Sequence, residues 1–293
     1  MGKAILHIHT TFSDGTCTTA ELLDEVEQRS DVNVIGITDH DDCRSFQAAL
    51  EWKDAHPDSR VEPIWGTEIT AFGFTHVLAY KMQPPFPTVL PKKFMSMKEV
   101  VNQLHDMGCY VVIPHVDAPM VGMNRSRMKR VSSKLPFFGY ELITPYFTSA
   151  SSLPRLRAIG EQHGLLALGG SDAHFPEDLY RVILKFPGST AQDFEQSWTD
   201  RTVVPELGQE GPKKTFARQM RQQRRALVEQ PAEQMRSWAQ GRISATRSGW
   251  DRWRSPEVVG DANQVLALDP WLLEVVGDDM DDVALALHPT LHD

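Results

Sequence analysis

The sequence predicts an α/β domain in which parallel strands close into a barrel, followed by a distinct C-terminal extension. Two observations predict the barrel. Short β-branched or apolar runs alternate with longer helix-like segments, and polar side chains recur where those runs end. A third observation, an abrupt change of charge near residue 208, predicts the extension.

The predicted elements alternate along the first two thirds of the chain. Eight runs have the composition of strands: Ala4–His9, Asn33–Thr38, Val61–Thr70, His76–Tyr80, Tyr110–His115, Tyr140–Ile143, Leu165–Gly169 and Arg181–Leu184. Five segments between them favour helices: Thr19–Ser30, Arg44–His56, Met97–Met107, Ser152–His163 and Ala191–Thr199. This alternation is typical of a parallel sheet, whose functional residues lie at the carboxyl ends of the strands.

Composition excludes several classes of protein. Hydrophobic residues make up 41% and charged residues 24% of the chain, as in an ordinary soluble globular protein. No apolar run approaches the roughly 20 residues of a membrane-spanning helix. Three cysteines exclude a disulfide scaffold and, with no signal-peptide pattern at the N-terminus, predict a cytoplasmic location. The net charge of -9 argues against a chain that coats nucleic acid along its whole length.

The charge is nevertheless divided into blocks. Residues 213–254 hold 11 basic and 3 acidic side chains, whereas residues 255–293 hold 9 acidic side chains and neither lysine nor arginine. We therefore predict a barrel over residues 1–208 and a helical or partly disordered extension over residues 209–293. The basic segment could hold RNA or DNA, lie on an anionic membrane surface, or pair with acidic residues of the same chain. We favour the last interpretation.

Metal-binding side chains follow several of the predicted strands. His7 and His9 lie two residues apart on one strand, so both imidazoles face the same side and could share an ion. Burying such a polar group without a partner costs roughly 2–7 kcal/mol, and a shared cation offsets that cost. The candidates are His7, His9, Asp14, His40, Glu68, His76, His115, Asp172 and His174. The alternative is a buried hydrogen-bond network of the same residues without metal.

The order of the motifs carries a resemblance to a known family. The motifs are His7-Ile8-His9, Ser13-Asp14-Gly15, Thr38-Asp39-His40-Asp41, Gly66-Thr67-Glu68, Pro114-His115 and Ser171-Asp172-Ala173-His174. From about residue 4 to residue 205 the chain resembles the PHP (polymerase and histidinol phosphatase) family of metal-dependent phosphoesterases. The resemblance implies a distorted, TIM-like barrel of seven strands that holds two or three divalent metal ions.

The resemblance also implies a distribution of ligands. His7, His9, Glu68 and Asp172 would hold a first ion, and Glu68 would bridge to a second ion bound by His115 and His76. Asp14, His40 and His174 would hold a third. The Ser13-Asp14-Gly15 form resembles the branch of the family that acts on nucleotide 3′,5′-bisphosphates and short RNA ends. That branch carries a sizeable domain between the positions of Glu68 and His115, whereas here only 46 residues separate them.

The residue types indicate the chemistry. Mixed imidazole and carboxylate ligands suit Mn²⁺, Zn²⁺ or Fe²⁺. The candidate catalytic residues are Asp39, Asp172 and His174, although Asp39 could instead only orient a neighbouring ligand. Phosphate requires basic partners, and Arg125 or Arg127, which follow His115, could clamp it.

We therefore expect a metal-dependent phosphoesterase that hydrolyses a small phosphomonoester, such as a nucleotide, with a hydroxide that bridges two ions. Three alternatives stay open. The chain could be a 5′-end or 3′-end exonuclease whose basic segment holds the nucleic acid, or a metal-dependent hydrolase of carbon–nitrogen or ester bonds. It could also be a regulatory module in which the metal is structural. The sequence leaves the oligomeric state open.

Overall fold

A computed structural model describes residues 1–29, 31–118, 121–145, 149 and 151–209 of the chain. Nine strands in these residues form one sheet, in the order β7-β6-β5-β4-β3-β2-β1-β8-β9. The strands are β1 (Gly2–Leu6), β2 (Val34–Gly36), β3 (Glu62–Ala71), β4 (Thr75–Lys81), β5 (Tyr110–Ile113), β6 (Gly139–Ile143), β7 (Leu166–Gly169), β8 (Val182–Phe186) and β9 (Val204–Leu207). Residues 210–293 lie outside the described part, so the predicted extension stays a prediction.

Six α-helices alternate with the strands over the same residues. They are α1 (Thr19–Arg29), α2 (Arg44–Ala55), α3 (Met97–Asp106), α4 (Arg125–Ser132), α5 (Leu153–Gln162) and α6 (Ala191–Thr199), and a short 3₁₀ helix covers Pro176–Arg181. The first helix is capped, because the Thr18 hydroxyl accepts a hydrogen bond from the Glu21 amide. None of the helices in the described part is both long and apolar enough to cross a bilayer.

The sheet curves until its two ends approach each other. An added Cβ on Gly169 of β7 would lie 3.2 Å from the Pro205 Cβ of β9, although β7 and β9 do not pair. The predicted fold class, an α/β barrel, is confirmed. It has nine strands rather than the expected seven, and β9 was not predicted.

The sheet is also mixed rather than wholly parallel. β4 runs antiparallel to β3 and to β5, and β8 runs antiparallel to β1 and to β9. The antiparallel β3–β4 pair arises because a short turn at Phe72–Phe74 joins the two strands directly. A parallel connection would need a crossover of a dozen residues or more.

The barrel interior changes character along the strands. Side chains of one strand alternate between its two faces, so Ile64, Gly66 and Glu68 share the inner face of β3. Tyr80 of β4 is buried and, together with neighbouring residues, leaves little room for side chains opposite it. An added Cβ would lie 3.1 Å from the Tyr80 ring at Gly36 and 3.3 Å from it at Gly66. The interior is thus apolar at one end, while polar side chains meet at the carboxyl ends of β1, β2 and β3.

Candidate metal centre

Nine side chains predicted as ligands lie together at that polar end. Four overlapping groups each place ligand atoms within 4.8 Å of one another. The groups comprise His9, Asp14, His40 and His174; His7, His9 and Asp172; His7, Glu68 and His115; and His40, Glu68 and His76. The structure therefore brings all nine residues into one cluster, although more than 160 residues of chain separate His7 from His174.

The first subset surrounds the Nε2 atoms of His7 and His9. These nitrogens lie 3.2 and 3.3 Å from Glu68 Oε2, and 3.6 and 3.5 Å from Asp172 Oδ1. His7 and His9 directly follow β1, and Glu68 extends from β3, two strands away. Parallel strands that end at one rim place these atoms together.

The other carboxylate oxygen of Glu68 faces a second subset. Glu68 Oε1 lies 3.1 Å from His76 Nδ1 and 3.1 Å from His115 Nε2. His76 comes from β4 and His115 follows β5. Glu68 is fully buried and lies between the two subsets, which is the geometry of a bridging carboxylate.

A third subset of ligand atoms surrounds the Asp14 carboxylate. Its Oδ1 atom lies 3.1 Å from His174 Nε2 and 3.8 Å from His40 Nε2. The His9 ring stacks against both of these rings, with its centroid 4.2 Å from the His174 ring and 4.4 Å from the His40 ring. His40 also joins the other subsets, because its Nδ1 lies 3.2 Å from Glu68 Oε2.

Two observations show that these residues fit divalent ions. Metal–ligand bonds of about 2.0–2.2 Å place two atoms of one coordination sphere roughly 3.0–3.5 Å apart, which matches most of the separations above. In addition, five buried ligand atoms form no hydrogen bond of acceptable geometry within the described residues. They are His9 Nε2, Asp14 Oδ1, His40 Nδ1, His76 Nδ1 and His174 Nε2. Buried polar atoms of this kind normally have a partner, and a shared cation would supply one.

The charges of the cluster also favour cations. Despite burial, neighbouring histidines hold the pKa values of Asp14, Glu68 and Asp172 below their usual range, so all three carboxylates stay ionised. Burial, together with the rings of His174 and His40, lowers the pKa of His9 to about 3, so that this imidazole is neutral and free to bind metal. Three buried negative charges are costly unless cations neutralise them.

The backbone is unusual at the same place. His7, His115 and Asp172 have φ angles of 62°, 25° and 47°, in the left-handed region that non-glycine residues rarely adopt. Each such residue costs of order 1–3 kcal/mol, and residues of this kind cluster at functional sites. Here the backbone turns sharply just after a strand and directs each side chain towards the cluster.

Glu141 of β6 is a member of the site that the sequence analysis missed. It is buried, and its Oε1 accepts a hydrogen bond from His7 Nδ1 at 2.8 Å, while Oε2 accepts one from the His115 amide at 2.6 Å. Gly170 makes room for it, because an added Cβ there would meet Glu141 Oε1 at 1.7 Å. The pair of bonds fixes the His7 ring with Nε2 towards Glu68, which is how carboxylates orient metal-binding histidines.

Asp39 belongs to none of the four groups of ligand atoms. It is fully buried, and its carboxylate accepts hydrogen bonds from the Thr10 amide and hydroxyl, both at 2.7 Å, and from the Ser13 hydroxyl at 2.5 Å. These bonds hold the loop that carries Asp14. The geometry supports the positioning role of Asp39 over the catalytic role that was also considered.

The two candidate arginines lie on α4, next to ligands but already engaged. Arg125 Nε lies 2.7 Å from Asp117 Oδ2, and Asp117 follows His115 by two residues. Arg127 Nη1 donates a hydrogen bond of 2.8 Å to the hydroxyl of Thr75, the residue before His76. Helix α4 was not predicted, and the Asn124 side chain caps it by accepting a hydrogen bond from the Arg127 amide.

The cluster is open to solvent on one side. The side chains of His40, Asp172 and His76 are 23%, 17% and 12% exposed, while those of His7, His9 and Glu68 are fully buried. A substrate would therefore approach over His40, His76 and Asp172.

Comparison with known proteins identifies a domain in this region. Residues 6–129 match the family profile of the PHP domain, whereas no curated protein matches the sequence. That match includes seven of the nine clustered residues, from His7 to His115.

Several solved structures share the fold. A two-domain protein from Bacteroides vulgatus containing a predicted PHP-like metal-dependent phosphoesterase is 18% identical with a TM-score of 0.56, over 70% of this chain and 64% of that chain. An amidohydrolase from Chromobacterium violaceum, solved with bound sulfate and no metal, is 16% identical with a TM-score of 0.51, over 69% and 97%. A lesion-specific endonuclease from Pyrococcus furiosus is 14% identical with a TM-score of 0.51, over 70% and 57%. The chain thus spans less than two thirds of the length of the Bacteroides vulgatus protein and of the Pyrococcus furiosus endonuclease.

Proposed function

We propose, for a chain that carries a PHP domain over residues 6–129, that it is a metal-dependent hydrolase that cleaves a phosphomonoester. The observation that carries the proposal is the convergence of six imidazoles and three carboxylates at one open rim of the barrel. No serine or cysteine nucleophile is needed for this chemistry.

The three subsets support a distribution of ligands. His7, His9, Glu68 and Asp172 would hold one ion, and Glu68, His76 and His115 a second. Asp14, His40 and His174 would hold a third. The donor set suits Mn²⁺, Zn²⁺ or Fe²⁺, and such ions, when bound, make water acidic and stabilise negative charge on a phosphoryl group.

The residues of the chain have separate tasks in this proposal. Glu141 orients the His7 ring, and Asp39 holds the Asp14 loop through Thr10 and Ser13. Asp172 is the partly exposed carboxylate beside His7 and His9, where it could accept a proton during the reaction. Although burial disfavours a charged imidazole, Asp14 and Asp172 raise the pKa of His174 to about 9, so this ring could donate a proton to the leaving group if only two ions bind.

Arg127 is the better placed of the two phosphate clamps. Its guanidinium reaches Thr75, beside His76 at the open side of the cluster, while the Arg125 side chain pairs with Asp117. A planar guanidinium can bind two phosphate oxygens at once. We therefore propose that Arg127 binds the non-bridging phosphate oxygens of the substrate, while Arg125 stays paired with Asp117.

A nuclease is the second candidate, because α4, whose Arg127 reaches Thr75 beside the cluster, bears four basic side chains: Arg125, Arg127, Lys129 and Arg130. The three free cysteines support a reducing, cytoplasmic location for either enzyme. The basic segment at 213–254, which could add a nucleic-acid contact, lies outside the described residues.

Hydrolysis of p-nitrophenyl phosphate by the purified full chain with Mn²⁺ tests the proposal. We expect activity that His9→Ala and Asp172→Ala each abolish. His105→Ala and Asp106→Ala, which alter exposed residues of α3, are matched controls and should keep full activity. Activity that survives both site variants would refute the assigned centre. Cleavage of an aryl carbamate but of no phosphate ester would favour a carbon–nitrogen or ester hydrolase, and bound metal without turnover of either would favour a structural role.

A further inference from the structure

Three phenylalanines lie exposed at the rim of the barrel, above the metal centre. Phe72 and Phe74 form the tip of the β3–β4 hairpin, and Phe94 lies in the loop before α3. They are 73%, 63% and 48% exposed. Single exposed apolar residues are ordinary, but a group of exposed aromatic side chains marks a binding surface. We call Phe72, Phe74 and Phe94 the aromatic platform.

Backbone hydrogen bonds hold the platform together. The Phe94 amide donates to the Thr70 carbonyl and the Phe72 amide donates to the Met95 carbonyl, both at 2.7 Å, so the loop pairs with the end of β3. The rings of Phe74 and Phe94 meet edge to face, with centroids 5.5 Å apart. Their φ angles of 59° and 64° are left-handed, which is strained for an aromatic residue. The chain thus holds two large apolar rings in solvent at a cost in conformational energy.

The platform adjoins the open side of the metal centre. β4 begins at Thr75, directly after Phe74, and His76 is the next residue. Arg127 bonds to that same Thr75, so the proposed phosphate clamp lies at the base of the hairpin tip. A molecule with one phosphate at the metal centre would therefore extend over the phenylalanines.

The charges around the platform fit a polyanion. Lys92 and Lys93 are exposed next to Phe94, and Lys93 Nζ lies 6.0 Å from the centroid of its ring. Arg127 of α4 reaches the hairpin base through Thr75, and the same helix carries three more basic residues. The nearby Asp41 carboxylate accepts a hydrogen bond from the Thr70 amide. Exposed aromatic rings beside cationic side chains are the combination that binds single-stranded nucleic acid, in which bases stack on rings and phosphates pair with cations.

We propose that the aromatic platform, with Lys92 and Lys93, stacks the unpaired bases of a single-stranded oligonucleotide whose phosphate enters the metal centre. The inference rests on the proposed function and narrows its substrate class from phosphate esters in general to oligonucleotides with unpaired bases.

Fluorescence anisotropy of the metal-free full chain with labelled eight-residue oligothymidylate and oligouridylate tests it. No hydrolysis is needed, so failure of the phosphoesterase proposal would not affect the result. We expect the double variant F74L/F94L, which keeps apolar bulk but loses the rings, to bind about tenfold more weakly. F74Y/F94Y should restore binding. An oligomer of the same length without bases should bind wild type and F74L/F94L equally.

The lysines give an independent readout. In K92Q/K93Q we expect the dependence of log affinity on log salt to become shallower by about 0.7 for each phosphate that the protein no longer neutralises. F74L/F94L should keep the wild-type slope. Leu207→Ala, which removes a side chain 72% exposed on β9, is the control and should bind normally.

Wild-type affinity in F74L/F94L, or an equal weakening of binding to the oligomer without bases, would overturn the proposal. The proposal would also be overturned if light scattering showed that F74L/F94L has a different oligomeric state from wild type while it binds the oligonucleotides equally well. The phenylalanines would then be an interface between copies of the chain.

Discussion

The two ends of the barrel interior both contain fully buried side chains but are chemically opposite. Leu184 on β8 and Glu68 on β3 are both fully inaccessible to solvent. Burying apolar surface contributes about 25 cal/mol per Å², whereas burying an ionised carboxylate costs several kcal/mol unless it is paired. The comparison teaches that the apolar end stabilises the fold, whereas the polar end costs stability and is suited to binding cations. Substitutions at the two ends should therefore produce different phenotypes.

The largest effect is expected for Glu68→Gln, because Glu68 faces both proposed ion sites. A neutral amide of the same size should lower turnover roughly a thousandfold or more, since several kcal/mol of charge stabilisation depends on the ions. Turnover and bound metal are measured together. Glu195→Gln, which alters a carboxylate outside the cluster, should behave as wild type. Near-normal activity in Glu68→Gln would remove the distinction between the two ends.

Leu184→Ala probes the apolar end. Loss of this buried side chain should lower the free energy of unfolding by about 2–5 kcal/mol, because a cavity is left behind. Denaturant titration gives the change in stability. The folded fraction should bind as much metal as wild type. If Leu184→Ala lost metal without losing stability, the two ends would not be independent.

Glu141→Gln should weaken metal binding about 10–100-fold without abolishing it. The amide can accept from only one of its two present donors, His7 Nδ1 and the His115 amide, so one of them loses its partner. Calorimetric titration with Mn²⁺ measures the affinity, and nitrogen NMR of the metal-free protein reports the protonation of the His7 ring. An unchanged ring and an unchanged affinity would contradict the positioning role.

The smallest effect is expected for a change of a single pH unit. Burial lowers the pKa of His174, but Asp14 and Asp172 outweigh burial and raise it to about 9 in the metal-free protein. Below that pH the ring carries a proton that competes with metal, so affinity should rise with pH, by up to about tenfold per unit, and level off above 9. Calorimetry in buffers of different ionisation enthalpy should show proton release at pH 7. A flat profile between pH 6 and 9 would count against His174 as a ligand.

Much of the centre could be predicted because its residues follow strands. Polar residues directly after apolar runs, such as His7 and Asp172, must lie at the rim of the barrel, where parallel strands end together. Glu141 could not be found this way, because a single glutamate inside the apolar run Gly139–Ile143 gives no indication that it faces a histidine 134 residues away.

The direction of β4 and the presence of β9 could not be predicted from the sequence either. Alternation of apolar residues predicts a strand but not its orientation, so the turn at Phe72–Phe74 was not recognised as a hairpin. β9 is only four residues long and is not buried at either end, which leaves almost no pattern. Likewise, nothing in the sequence pairs Asp39 with Thr10 and Ser13, since those contacts depend on the path of a loop.

Metal content is the most direct test of the central claim. The full chain, loaded with Mn²⁺ and dialysed, should retain two or three ions per chain by elemental analysis, and Asp172→Ala should retain fewer. Less than one ion per chain in the wild type, or the same content in Asp172→Ala, would contradict a shared metal centre at this rim.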